Sequence, residues 1–224
     1  WWNQAYEAAG YKDAFQVKVL PEGADPMDVR YNVINWVHRA TRGWSYGSSV
    51  VDPRTGEIIK GHVTLGSLRV RQDYLIALGL TSPFKDGSTD TTAQQEMALD
   101  RIRQLSAHEV GHTLGIAHNF AASENNRASV MDYPHPKISI KNGKISLEGA
   151  YDKGIGAWDI HAVAYGYQDF ASDVEATEAL AKIIVKGRNE GLSFKSDPDT
   201  RSSRHASANG HMWENGSNPL DAFD

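Results

Sequence analysis

The chain of 224 residues contains no cysteine. Disulfide frameworks, thiolate metal sites and a cysteine-based latency switch are therefore excluded within it. No apolar run approaches the roughly 20 residues that a membrane-spanning helix needs. Basic character is also lacking: a formal charge of −5 is ordinary for solubility, and nothing here is basic enough for nucleic acid. A signal peptide is missing too. The chain opens on Trp1 rather than Met and stops at Asp224 without an ending pattern, so it reads as a piece of a longer protein, with room for targeting signals outside this segment. No internal repeat is visible. A hydrophobic fraction of 40% is enough to bury one good core, or one domain split by a cleft.

One stretch organises the rest: His108-Glu109-Val110-Gly111-His112-Thr113-Leu114-Gly115-Ile116-Ala117-His118. Two histidines four residues apart on a helix project from the same face, about one turn apart. Both imidazoles can then bind one metal ion, leaving two tetrahedral positions to fill. Glu109 sits beside the first ligand, where its carboxylate reaches a water on the metal without ligating the metal itself. Gly115 permits the left-handed turn that ends a helix. The reversal brings His118 back as a third ligand. Three protein ligands plus a water describe a catalytic zinc site, not a closed structural one. Two histidines and a glutamate on a helix can also be a solvated face, but a glycine and a third histidine at fixed offsets make coincidence a poor account.

The histidine motif is followed by Ser129-Val130-Met131-Asp132-Tyr133-Pro134. A lone methionine in a loop ordinarily fills core space. Downstream of this motif, Met131 matches the Met-turn that completes the metzincin signature, forming the apolar floor beneath the imidazoles. The chain resembles the metzincin clan of zinc endopeptidases. Residues 1–10 and Arg42-Gly43-Trp44-Ser45-Tyr46-Gly47 also look like a large bacterial metzincin family. The residue after the third histidine is Asn119, where the well-known branches carry Glu, Asp, Ser or Pro.

The resemblance implies an α+β fold: a twisted mixed sheet with two long helices above an active-site cleft, and a mostly irregular, helical lower part. Residues 1–118 would form the N-terminal subdomain and 119–224 the C-terminal one, together one catalytic domain. The family's first strand would lie before Trp1. The resemblance further implies one catalytic Zn2+, a peptide or protein substrate, and an extracellular, periplasmic or cell-surface location. Astacins and serralysins carry Met-x-Tyr, as in Met131-Asp132-Tyr133, and their tyrosine ligates zinc at rest and swings to the reacting centre. For Tyr133 this implies oxyanion stabilisation and service as an extra ligand; the plainer alternative is a wall residue beside Pro134.

Residues 1–9 carry helical spacing and end at Gly10. Residues 15–20 alternate and predict a strand stopped by Pro21; 21–28 is loop by composition, and 29–37 a second strand. Residues 44–67 predict two strands around the turn Asp52-Pro53-Arg54-Thr55-Gly56. The later strand, residues 58–67, is expected to be the upper edge of the cleft and to pair antiparallel with substrate. Residues 71–80 predict a short helix and 82–90 a loop. Thr91 or Thr92 can cap a long helix running to Leu114, with Met97, Ile102 and Leu105 facing the core. Lys141-Asn142-Gly143-Lys144 predicts a hairpin. Residues 158–167 and 173–186 predict helices, and the tail from Ser196 is polar.

His38, His62, His135, His161, His205 and His211 show no spacing that demands a second metal site and read as solvated or hydrogen-bonded. Asp86, Asp90, Asp197 and Asp199 lack a calcium-loop pattern, so calcium has no support. Trp36, Trp44 and Tyr46 read as core or sheet packing. Two other functions compete with the endopeptidase: a proteolytically silent zinc-binding module for adhesion or assembly, and a zinc hydrolase of small amides or esters. Glu109 argues against the first, since a structural site does not need that carboxylate. A closed pocket would favour the second, and an edge strand able to pair with extended substrate would favour the peptidase.

Overall fold

Alternating strand residues on either side of the Asp52–Gly56 turn build the sheet of this α+β chain. Asp52 N–H donates to the Glu57 carbonyl at 2.9 Å, and Gly56 takes φ +78°, closing the turn. In the computed structural model, which describes residues 1–41, 43–201, 204 and 206–213, β2 (Tyr46–Val51) and β3 (Ile58–Gly66) flank it. β3 pairs antiparallel with β2 and parallel with β1 (Val33–Val37), giving the order β1-β3-β2. The sheet is thus mixed, as expected, but β3 lies at its centre and has both edges paired. The expectation that residues 58–67 offer a free edge to substrate is therefore wrong.

The chain forms two units, each discontinuous in sequence. One comprises Leu20–Gly115 and His135–Lys153 and holds the sheet. After β3 the chain enters α2 (Leu68–Thr81) and then α3 (Thr92–Thr113). Thr91 is the residue before α3, yet its hydroxyl accepts from the Gln95 side chain. The capping carboxylate belongs to Asp90, which takes the Thr92 N–H at 2.9 Å and its hydroxyl at 2.7 Å. Ala77 and Met97 pack with Leu147, Ala150 and Tyr151, so the segment after the hairpin closes this core. The hairpin itself, β4 (Ser139–Lys141) and β5 (Lys144–Ser146), turns through Asn142 (φ +53°) and Gly143 (φ +72°). Two successive left-handed residues match the twist of the strands they join.

The other unit comprises Trp1–Val19, Ile116–Pro134 and Gly154–Asp224. Here α1 (Trp2–Ala8) buries Trp2, Ala5 and Tyr6 and packs on α4 (Ala157–Tyr167), which in turn meets α5 (Asp173–Asn189). The Tyr6 ring lies edge-on to Tyr167 at 5.2 Å and stacks on Phe15 at 6.3 Å. A short 3₁₀ helix (Phe120–Asn125) and α6 (Asp197–Arg201) complete it.

Two strand expectations need correction. Residues 15–20 form no strand: Phe15 is drawn to Tyr6 and its N–H to the Asn3 side chain, while Val17 and Val19 are exposed. Alternation alone does not make a strand without a neighbour to pair with. In residues 29–37 only the second half is extended. Asp28 captures the Arg30 N–H at 2.9 Å and its guanidinium, and Tyr31 N–H closes back on the Asp28 carbonyl, so the chain turns first.

Candidate metal centre

The helical half of the site is built on α3. His108 and His112 fall one turn apart, with ring centroids 4.8 Å apart and planes nearly perpendicular. His108 is buried and His112 half-buried. Glu109 is buried as well. Burial pushes its carboxyl up to about 7, against the lowering pull of the Gly47 N–H that bonds to it and of the Arg101 guanidinium. Arg101, itself buried, bonds Gln104 and lies over the Tyr151 ring at 5.7 Å.

The strand glycines have a use that their low strand preference hides. A Cβ on Gly47 would come within 1.9 Å of the Glu109 carbonyl oxygen, and one on Gly61 within 2.8 Å of Thr113 Cβ. Their bare Cα atoms let the ligand-bearing end of α3 lie directly on the sheet.

The third histidine is reached through the expected reversal. Leu114 N–H still bonds to the Val110 carbonyl, but Gly115 adopts φ +80° and its N–H closes on the His112 carbonyl at 3.1 Å. The ligand atoms of His108, His112 and His118 all lie within 4.8 Å of one another. Among the described residues no other set of histidine and acidic side chains gathers in this way.

Asn119 anchors the chain just beyond the third histidine. It is fully buried, and its N–H donates to the Met131 carbonyl at 3.0 Å. Its side-chain NH2 donates to the Ser193 carbonyl at 2.9 Å, while its Oδ1 accepts the N–H groups of Ala121 and Lys195 at 3.2 and 3.0 Å. Only an amide both donates and accepts in this way, which gives a physical reason for asparagine here.

Met131 has no exposed surface. Its N–H donates to Ser129 Oγ at 2.8 Å, and that hydroxyl donates to Asp159 at 2.6 Å. Asp159 stands in the first turn of α4 and also accepts the N–H groups of Val130 and Gly156 at 2.9 and 2.8 Å. Burial raises its carboxyl to about 6 despite these three donors. Asp132, next to Met131, accepts from the Ser123 hydroxyl and the Tyr133 N–H; burial outweighs both and pushes it up to about 7.

The Tyr133 ring meets the His118 ring edge-on at 4.7 Å, touches Phe120 at 5.4 Å and stacks against Trp213 at 5.0 Å. His118 Nδ1 lies 2.6 Å from an Asp197 carboxylate oxygen.

Sequence reasoning misses Asn119, Asp159 and Asp197 as residues that support the site. For Asp159 a signal exists, since an acid three residues after a helix-entry glycine is a capping pattern. For Asp197, 79 residues from His118, no local pattern exists. Composition offers Asp197 and Asp199 only as calcium candidates. Asp197 is engaged by His118 and Arg201, and Asp199 accepts the Ser196 N–H.

Of the other histidines, His38 bonds Ser67, His62 bonds Asn35, and the His161 ring lies against Gly187. His205 and Arg42 lie outside the described residues. Trp36, Trp44 and Tyr46 do not pack in a core: they are 47%, 60% and 43% exposed. Tyr46 instead carries the Arg39 guanidinium over its ring.

The donor set fits zinc. Three imidazoles converge, none accompanied by a thiol or a ligand carboxylate, and two of them share a rigid helix. Compared with known proteins, the chain matches a family model described as Met-zincin over residues 90–224. No curated protein and no solved structure matches it.

Proposed function

Since the chain belongs to the Met-zincin family, we propose that it is a zinc-dependent endopeptidase in which His108, His112 and His118 hold the ion and Glu109 is the general base. The observation that carries this reading is the approach of the three histidines to within 4.8 Å at the end of the helix bearing Glu109. When bound, zinc supplies Lewis acidity, bringing the ionisation of water toward neutral pH and polarising the scissile carbonyl.

Glu109 accepts the proton of the attacking water at its carboxylate and then delivers it to the departing amine. Burial raises this carboxyl, which strengthens it as a proton acceptor. Tyr133, beside His118, donates its phenolic hydrogen to the carbonyl oxygen as that oxygen gains charge, and would help to hold the ion as an extra ligand at rest. Met131 supplies the apolar floor. The substrate is a peptide or protein chain. The family resemblance supports an extracellular, periplasmic or cell-surface location; no helix among the described residues is long and apolar enough to cross a membrane.

The test is incubation of zinc-loaded protein with a peptide library. Internal peptide bonds should be cut, and Glu109→Gln should lower the rate roughly 10²- to 10⁴-fold with zinc retained. Tyr133→Phe should lower kcat roughly 10- to 1,000-fold with little change in KM or zinc content. Hydrolysis confined to small amides or esters would point to the small-molecule enzyme. Zinc binding with no hydrolysis of either would point to the binding module.

A further inference from the structure

We propose that Asp197 is a positioning residue for the metal centre: its carboxylate fixes His118 in the tautomer that turns Nε2 to the ion. The proposal rests on the zinc reading above and adds to it a residue from outside the histidine motif. His118 Nδ1 and Asp197 Oδ2 are 2.6 Å apart. An ionised carboxylate only accepts, so the hydrogen between them sits on Nδ1. A neutral imidazole with its hydrogen on Nδ1 carries its lone pair on Nε2, the nitrogen left to ligate a metal. The bond also sets the rotation of the ring.

An exposed ion pair of this kind would ordinarily count for little. Asp197, however, is held on several sides. Its other oxygen accepts from Arg201 Nε at 2.7 Å, and its carbonyl accepts the Thr200 hydroxyl at 3.1 Å. The segment that delivers it is pinned by the residue directly after His118. Asn119 bonds both the Ser193 carbonyl and the Lys195 N–H, and Phe120 N–H donates to the Lys195 carbonyl at 2.8 Å. The third histidine and the carboxylate that orients it are thus fastened to each other through a neighbouring backbone, 79 residues apart in sequence.

The experiment uses the 224-residue chain and the zinc ion alone. Competition with a chromophoric chelator gives the zinc affinity of wild type, Asp197→Ala and Asp197→Asn, with circular dichroism to confirm that each is folded. Asp197→Ala should bind zinc roughly 10- to 100-fold more weakly. Asp197→Asn keeps an acceptor oxygen and should stay within about threefold of wild type.

The second readout is the ¹⁵N imidazole spectrum of the metal-free wild type, with His118 assigned through His118→Gln. It should show His118 protonated on Nδ1, and needs no variant of Asp197 to fold. An Nε2-protonated His118, or an Asp197→Ala variant with wild-type affinity, overturns the proposal. If wild type binds no zinc at all, the zinc reading fails, while the tautomer still decides whether Asp197 orients the ring.

Discussion

The two histidines on α3 and the one beyond Gly115 reach the same place by different physics. His108 and His112 are aligned by the period of a helix, and that helix is seated by close contacts at Gly47 and Gly61. His118 comes after a turn, and its surroundings are set by hydrogen bonds to Met131, Ser193, Lys195 and Asp197. The first arrangement tolerates change everywhere except where atoms already touch. The second depends on each donor finding its acceptor. Damage should therefore look different in the two regions: abrupt and steric in one, graded and chemical in the other.

The most severe break should come from the steric side. Gly47→Ala places a carbon where the Glu109 carbonyl oxygen already lies, 1.9 Å from it, and neither backbone can yield without parting helix from sheet. A loss of more than about 3 kcal/mol is expected, at the upper end of overpacking penalties. Gly79→Ala is the control: in α2 the added carbon meets open space, and helix propensity favours alanine by up to ~1 kcal/mol. Denaturant unfolding of both metal-free variants checks the contrast. Equal, small effects would mean that the helix is not seated on the sheet at Gly47.

A middle-sized effect is expected at Asn119. Asn119→Asp preserves shape and the acceptor for the Ala121 and Lys195 N–H groups, but sets a carboxylate oxygen against the Ser193 carbonyl in a fully buried position. Losing one buried donor and facing two acceptors together should cost about 2 kcal/mol. Zinc affinity should fall with it, because the same segment carries Asp197. Unfolding measurements paired with zinc competition test this. A variant with lowered stability and unchanged zinc affinity would separate the Ser193–Lys195 anchor from the metal centre.

The same contrast explains what is legible in the sequence. Local rules work where the structure is local. The spacing of His108, Glu109 and His112 implies one helix face, Gly115 implies a reversal, and Asn142-Gly143 implies a hairpin; all are present. The bounds of α3 and α4 are readable from period and composition, whereas α2 begins three residues before, and α5 ends three residues beyond, what the pattern predicts. What a local reading lacks is information about neighbours. Residues 15–20 alternate but have no strand beside them, and β3 has one on each side, which its own residues cannot announce. Trp36, Trp44 and Tyr46 are aromatic enough for a core and yet lie exposed. Finding Asp197 needs knowledge of which acid meets His118 across 79 residues, and a polar tail gives no hint of that.

The last expected effect concerns the clamp on the Met-turn and is a slope with pH, not a fixed loss. Asp159 is raised by burial to about 6 from an ordinary 3.8. A carboxyl whose folded value is raised binds its proton more tightly folded than unfolded. Between those two values the folded state holds a proton that the unfolded state has released. Stability from this group therefore grows as pH falls from about 6 toward about 4, by no more than about 1.4 kcal/mol per pH unit. Asp159→Asn is a permanent mimic of the protonated form. Its carbonyl oxygen can accept from Val130 and Gly156, and its NH2 can donate to Ser129 Oγ, reversing the present direction of that bond. The variant should lack this slope. Contributions common to both proteins cancel in the difference, so the quantity to measure is the gap in unfolding free energy at about pH 6.5, 5.5 and 4.5, spanning the window between the two values. Wild type should gain on the variant as pH falls. A gap that stays constant would mean that Asp159 is ionised throughout, with its three donors outweighing burial, and that the Met-turn is clamped by a charge.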